Sequence, residues 1–200
     1  MNWIRTLAWF IALVYSTIPL FWLVAHNKAR HWRRPREAFQ VLLPSWIVFI
    51  TIAGALTWSW RYTVLFSSPL AVICGILLLF VGHSIYVASA KHFSWKQLSG
   101  APEFEAQRSS EQHLVVSGLH AYVRHPIYLA HFLNLLGWML ISGLAAVAAL
   151  LAFALITGAV MIRFEEKELL ARFGEGYRNY QRRVPAILPN GRTVNKPSEQ

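Results

Sequence analysis

The side chains in this sequence that can do chemistry are concentrated in two polar segments, Lys91–Tyr128 and Arg163–Pro189. The first segment ends in Arg-His-Pro-Ile-Tyr at 124–128, and the second begins with Arg-Phe-Glu-Glu at 163–166. Such side chains can bind an anion, accept hydrogen bonds from hydroxyl groups or move a proton. A protein with a purely structural role has no need to collect its His, Glu and Arg in two blocks. The two segments therefore predict a functional site.

Arg124 and His125 directly precede Pro126, a residue that suits the first turn of a helix because it has no N–H to leave unpaired. We therefore place Arg124 and His125 at the start of a helix, where free N–H groups and the helix dipole favour an anionic group. Polar and aromatic side chains continue along one helical face: Tyr128, His131, Asn134 and Trp138. For the His and Asn of this stripe, hydrogen bonding between helices and contact with a ligand are equally good interpretations.

Glu165 lies where a long apolar stretch ends, which is the predicted membrane boundary. A carboxylate accepts two hydroxyl hydrogen bonds at once, which suits the diol of a ribose. Glu166 and Glu168 are predicted instead to lie on an ordinary solvated helix face.

Membrane helices must position these residues. Hydrophobic residues make up 56% of the 200 and charged residues only 14%, against about a quarter in soluble domains. Because a bilayer core takes roughly 20 helical residues to cross, we predict an all-α integral membrane protein with five spans. The first three are 7–25, 41–60 and 64–88. The apolar stretch 127–164 is predicted to be a helical hairpin that turns at Ile141-Ser142-Gly143.

The distribution of basic residues predicts the orientation. On this five-span arrangement, 17 of the 19 Lys and Arg residues lie on one side, and only Arg5 and Arg61 lie on the other. The side rich in basic residues faces the cytosol, so we expect the N-terminus outside and the C-terminus in the cytosol of a plasma or inner membrane. Residues 1–90 would then form a three-helix anchor and lipid-side wall. Residues 91–200 would contain both polar segments, the hairpin and a cytosolic C-terminal helix.

Small residues recur every seven positions in the third predicted span, as Gly75, Gly82 and Ser89. Small side chains let membrane helices approach closely, so this stripe predicts a packing surface. The single cysteine, Cys74, lies in an apolar run and excludes both disulfide frameworks and Cys-based metal clusters.

The segment from Gln112 to Pro189 resembles the isoprenylcysteine carboxyl methyltransferase family and its prokaryotic relatives. The shared pattern starts with Leu-Val-x-Ser-Gly at 114–118 and Arg-His-Pro-x-Tyr at 124–128, followed by a helical hairpin. It continues with Glu-Glu-x-x-Leu-x-x-x-Phe-Gly at 165–174 and Tyr-x-x-Tyr-x-x-Arg-Val-Pro at 177–185. The order and the spacing both agree, over about 40% of the chain.

The resemblance implies an S-adenosylmethionine-dependent methyltransferase in the membrane, with residues 91–200 as its catalytic region and a cofactor-binding loop within that region. Its cofactor contacts would fall on Gln112, His113, Leu114, Val115, His120, His125, Pro126, Ile127, Tyr128 and Glu165. The catalytic candidates are Arg124, His125 and Tyr128, and the substrate-binding candidates are His131, Met161 and Arg163. We expect a lipophilic or amphiphilic small substrate that enters from the bilayer, contacts with membrane lipid, no metal, no nucleic acid and no obligate protein partner.

Three other classes of protein stay open at this point. A membrane reductase of the sterol-reductase type would bind NADPH in a related C-terminal architecture. A di-iron oxidase is suggested by the eight His residues, but the chain has no H-x-H-H cluster and no Asp. A non-enzymatic scaffold or transporter subunit would need none of these side chains. Binding of S-adenosylhomocysteine would separate the methyltransferase from all three.

Overall fold

The computed structural model describes residues 2–27, 35–90 and 114–189. Within these ranges the chain is helical and contains no strand. The helices of the described residues are α1 (Asn2–Asn27), α2 (Pro35–Thr57), α3 (Pro69–Ala90), α4 (Pro126–Ser142) and α5 (Ala145–Arg183). Short 3-10 turns follow α2 at Trp58–Trp60 and precede α4 at Gly118–Ala121. The predicted all-α class is therefore confirmed.

Four of these helices are long and apolar enough to cross a membrane, namely α1, α2, α3 and α5. Helix α4 is as apolar but has only 17 residues. Helix α5 has 39 residues and is therefore about 58 Å long, nearly twice the ~30 Å hydrocarbon core. Its charged residues begin at Arg163, so its second half extends beyond the apolar part of the bundle. Gly174, at φ +56°, interrupts the helical geometry within that half.

Helix α1 lies at the centre of the bundle and packs against α2, α4 and α5. The core that these helices share contains Trp9, Ala12 and Leu13 from α1 together with Leu135, Leu144, Ala146, Val147, Leu150, Leu151 and Ala154. The Trp9 indole also donates a hydrogen bond of 2.9 Å to the hydroxyl of Thr57 on α2. The buried face of α1 thus supports the hairpin from which α4 and α5 extend.

The hairpin turn lies where the sequence predicts it. Gly143 ends α4 with φ +62°, a conformation that favours glycine. A Cβ at this position would also lie 2.0 Å from the carbonyl oxygen of Phe66. The chain after Gly143 pairs with the segment before α3, since Leu65 N–H donates to Gly143 O at 2.8 Å and Ala145 N–H donates to Thr63 O at 2.9 Å. The predicted start of the third span at residue 64 is therefore wrong, because this pairing keeps the chain extended and α3 begins only at Pro69.

Helix α3 packs mainly on α4 through the predicted stripe of small residues. A Cβ added to Gly75 would lie 2.7 Å from the carbonyl oxygen of Gly137, and one added to Gly82 would lie 2.5 Å from the side-chain oxygen of Asn134. Ser89, the third member of the stripe, is also buried. The packing role that the seven-residue spacing predicts is confirmed.

Candidate functional site

The start of α4 is held against the end of α5 by backbone hydrogen bonds. His125 is the N-cap of α4 and Pro126 occupies the first helical turn, as predicted. The N–H groups of Arg124 and His125 donate to the carbonyl oxygens of Pro185 and Ala186, at 2.9 and 3.0 Å. The paired residues of these two short segments are 61 positions apart in sequence. Their pairing brings the Arg-His-Pro motif beside the C-terminal motif of the second polar segment.

Arg124 forms the centre of the polar contacts between the two segments. Its Nε donates to Glu166 Oε1 at 2.7 Å, and its Nη2 makes a second, shorter contact with the same oxygen. Its Nη1 donates to the carbonyl oxygens of Gln181, at 3.1 Å, and Val184. The N–H groups of the guanidinium are therefore committed to α5 and to Val184, the residue that caps it. Arg124 clamps the start of α4 to α5.

His125 lies between two adjacent carboxylates. Its Nδ1 lies 3.6 Å from Glu165 Oε2 and its Nε2 lies 3.3 Å from Glu166 Oε1. The imidazole is buried, and the ring of Tyr128 stacks on it at a centroid distance of 5.5 Å. The predicted residues His125, Tyr128 and Glu165 are thus brought together at one place.

Glu166 is not the solvated side chain that the sequence predicts, and that expectation is wrong. Its Oε1 accepts from Arg124 and His125, and its Oε2 accepts from the side-chain amide of Gln181 at 3.3 Å. Burial alone would raise the pKa of Glu166, but the hydrogen bonds from His125 and Arg124 and their positive charge outweigh it and lower the pKa. Helical phase could not reveal this, because the partners come from the two residues before α4 and from a later turn of α5. Glu168 does lie near the surface, with Arg172 at 3.9 Å.

Two buried polar atoms beside this network have no hydrogen-bond partner within the described residues, namely Glu165 Oε2 and the Tyr177 hydroxyl. Burial raises the pKa of the Tyr177 phenol, so the hydroxyl keeps its proton and is a donor. The carboxylate oxygen is an acceptor. Because buried polar groups are normally paired, this donor and this acceptor are suited to a ligand that carries both hydroxyl groups and hydrogen-bond acceptors. The ribose of an adenosyl cofactor has that chemistry.

Other predicted cofactor contacts lie around the same loop. Leu114 packs on the cluster of Tyr177, Tyr180 and Val184, while Val115 is exposed. The Tyr180 hydroxyl donates to the carbonyl oxygen of His120 at 2.6 Å, which ties the loop before α4 to α5. Pro126 is fully buried and Ile127 is half-buried. Gln112 and His113 lie outside the described residues.

The three predicted substrate-binding residues are in different surroundings. Met161 is fully buried, whereas the side chain of Arg163 is exposed. His131 is buried between α4 and α1, where its Nε2 lies 2.9 Å from the Tyr15 carbonyl oxygen and its ring stacks on the Tyr15 ring at 4.9 Å. Of the two interpretations left open for His131, the helix–helix hydrogen bond is therefore present.

Sequence reasoning missed Glu166, Tyr177 and Gln181 as members of the site. The only sequence signal for Tyr177 is its place in the Tyr-x-x-Tyr motif, which spaces Tyr177 and Tyr180 on one helical face. Their rings meet edge to face at 5.9 Å.

Comparison with known proteins gives a family and several relatives. The family model described as phospholipid methyltransferase matches residues 70–176, more than half of the chain. Methanethiol S-methyltransferase 2 of Bradyrhizobium diazoefficiens is 34% identical over 74% of this chain and 58% of its own length. Methanethiol S-methyltransferase of Crocosphaera subtropica is 35% identical over 43% of this chain and 33% of its own length.

A third relative comes from the isoprenylcysteine methyltransferases that the sequence motifs resemble. Protein-S-isoprenylcysteine O-methyltransferase of Schizosaccharomyces pombe is 33% identical over 42% of this chain and 36% of its own length. The chain thus spans from about a third to somewhat over half of the length of these relatives. No solved structure gives a significant match. The matched segment includes the Arg-His-Pro loop, the hairpin, and Glu165 and Glu166 on the second helix of that hairpin. The chain therefore belongs to the phospholipid methyltransferase family.

Proposed function

We propose that this protein is an S-adenosylmethionine-dependent methyltransferase that acts within the membrane on a lipophilic or amphiphilic small molecule. The observation that carries the proposal is the pair of unpartnered buried atoms, Glu165 Oε2 and the Tyr177 hydroxyl, beside the family's Arg-His-Pro loop. The relatives are named for methylation of sulfur in methanethiol and of oxygen in protein isoprenylcysteine. An acceptor of either kind has an apolar body.

The chain's own residues would hold the cofactor and exclude water. Glu165 would accept hydrogen bonds from the ribose, and Tyr177 would donate to a neighbouring acceptor. His125 and Tyr128 would position the amino-acid end of the cofactor at the start of α4, where helix N–H groups favour a carboxylate. Arg124 would act by positioning, because the Glu166 contact holds the loop in place. The bound cofactor supplies an electrophilic methyl group on a sulfonium, which a nucleophile attacks in line.

The same proposal includes a topology. We assign five spans, with α4 as the short fourth one, because the two-residue turn after Ser142 makes α4 and α5 neighbours in one hairpin. The N-terminus would then lie outside and the C-terminus in the cytosol, where S-adenosylmethionine is available. Residues 1–90 would provide the wall toward lipid, and residues 91–200 would provide the catalytic region.

Ligand-induced stabilisation tests the cofactor directly. Protein purified in detergent should gain thermal stability from S-adenosylhomocysteine, because a ligand that binds only the folded state stabilises it by mass action. NADPH serves as the matched control ligand. A shift with NADPH and none with S-adenosylhomocysteine would replace this proposal with the reductase.

A further inference from the structure

A proline inside α1 leaves one backbone carbonyl without its helical partner. Pro19 has no N–H, so the carbonyl oxygen of Tyr15, four residues earlier, cannot accept the usual helical hydrogen bond. His131 of α4 lies at that oxygen, with its Nε2 at 2.9 Å. The ring of Tyr15 stacks on the imidazole with an angle of 6° between the planes. The imidazole is therefore held in place by a hydrogen bond in its plane and by an aromatic ring on its face.

This contact determines which nitrogen of His131 carries the proton. A carbonyl oxygen can only accept a hydrogen bond, so Nε2 must be the donor. In a neutral imidazole the other nitrogen, Nδ1, then has no proton and presents a lone pair. Nδ1 is buried and has no hydrogen-bond partner in the part of the chain that the structure describes. His131 as a whole is 3% exposed.

The lone pair of Nδ1 points outward in the plane of the imidazole. The Tyr15 ring stacks on the face of the imidazole, so it does not block this lone pair. His131 also continues the stripe of His125 and Tyr128 along α4, at intervals of three residues. Residues three apart on a helix are neighbours. The stripe therefore runs from the candidate cofactor site into the apolar part of the bundle, and residue His131 lies about 9 Å further along the helix axis than His125.

We propose that His131 Nδ1 is the proton acceptor for the molecule that is methylated, and that this molecule carries a protonated heteroatom, as a thiol or a phenol does. This inference rests on the proposed methyltransferase function. In the step, the lone pair of the heteroatom forms the new bond to the methyl carbon while the bond from that carbon to the sulfonium sulfur breaks. The proton of the heteroatom passes to Nδ1. The products are the methylated acceptor, a neutral thioether and an imidazolium.

The position of Nδ1 excludes a carboxylate as the preferred acceptor. A carboxylate has no proton at neutral pH, and its oxygen would meet the Nδ1 lone pair with repulsion. Of the cations at this end of the bundle that the structure describes, Arg124 is committed to Glu166 and the Arg163 side chain is exposed, so neither offsets this repulsion. Thiols and phenols, with ordinary pKa values of about 8.5 and 10, are protonated at neutral pH, so each carries a proton that the Nδ1 lone pair can accept.

The test separates His131 as a proton acceptor from His131 as a packing residue. In His131→Gln, the side-chain amide can still donate to the Tyr15 carbonyl, but its oxygen is not basic enough to take a proton as Nδ1 would. In His131→Phe, ring stacking is kept and both nitrogens are lost. We expect His131→Gln to keep S-adenosylhomocysteine binding and to lose about a hundredfold in kcat with butanethiol or 4-methylphenol at neutral pH, within the usual range for a general base. Raising the pH toward the pKa of the thiol should restore this variant, because a thiolate needs no proton acceptor.

A second measurement needs neither turnover nor a variant that folds. The ¹⁵N spectrum of the imidazoles in the wild-type protein should show one neutral histidine protonated on Nε2, and butanethiol without cofactor should shift its Nδ1 resonance, whereas butyrate should not. Full activity of His131→Gln at neutral pH would overturn the inference, as would preferential methylation of butyrate or an Nδ1-protonated tautomer. A wild-type protein that binds no S-adenosylhomocysteine would instead overturn the proposed function.

Discussion

The two adjacent carboxylates, Glu165 and Glu166, should respond in opposite ways to the same substitution. Glu166 accepts from Arg124, His125 and Gln181, so Glu166→Gln removes the charge from the network that joins α4 to α5. Glu165 has one oxygen without a partner and only a 3.6 Å contact with His125. Glu165→Gln should therefore leave the stability of the folded protein almost unchanged and weaken the binding of its ligand.

The expected free-energy cost of each substitution follows from how deeply its side chain is buried. Breaking a fully buried ion pair costs about 3–5 kcal/mol. The Arg124 and Glu166 side chains are 10% and 18% exposed, and a glutamine oxygen can still accept one hydrogen bond. We expect Glu166→Gln to cost about 2–3 kcal/mol, which corresponds to roughly 4–12 °C in Tm for a chain of this size. For Glu165→Gln, losing a hydrogen bond to a charged acceptor costs about 1.5–3 kcal/mol of binding, or roughly 10- to 100-fold in Kd.

The assay is thermal unfolding in detergent, without ligand and across a titration of S-adenosylhomocysteine. Glu168→Gln is the matched control on the same helix, because its ion pair with Arg172 lies at the surface and such pairs contribute about 0–1 kcal/mol. A large loss of Tm in Glu165→Gln with unchanged affinity would refute the assignment of Glu165 as a ligand. An unchanged Tm in Glu166→Gln would refute the clamp.

Two further predictions concern the membrane region. Gly75→Ala should cost about 1–3 kcal/mol, measured as a lower Tm, because its Cβ would lie 2.7 Å from the Gly137 carbonyl oxygen. Gly54→Ala is the control, since its nearest contact would be an ordinary 3.7 Å, and equal losses in both variants would contradict close α3–α4 packing. A topology reporter fused after Gln200 should register the cytosol and one inserted at Arg61 the opposite side. A reporter after Gln200 that registers the outside would remove the site from its cofactor supply.

Local sequence patterns were sufficient to predict a helix or a turn wherever one physical requirement dominates. A helix that crosses lipid must pair its backbone internally and present apolar side chains, so long apolar runs predict α1, α2 and α5 whatever packs against them. The start of α4 at Pro126 and the turn at Gly143 are likewise local, because a missing N–H and a positive φ restrict single residues. The family motifs added which of these elements belong to one site.

Which residues that are distant in sequence form hydrogen bonds with each other could be learned only from the tertiary structure. Glu165 and Glu166 are chemically identical neighbours, and only the approach of Arg124 and Gln181 decides that Glu166 is engaged while Glu165 keeps an unpartnered oxygen. The Tyr15 carbonyl and the tautomer of His131 form a similar case, because the two residues are 116 positions apart in the sequence. Side-chain periodicity reports which face of a helix is apolar, but it carries no information about which polar group on another helix meets that face. For that reason the composition and the motifs of this chain determined its class and its elements, and the packing of α1, α4 and α5 decided which polar atoms remain for a ligand.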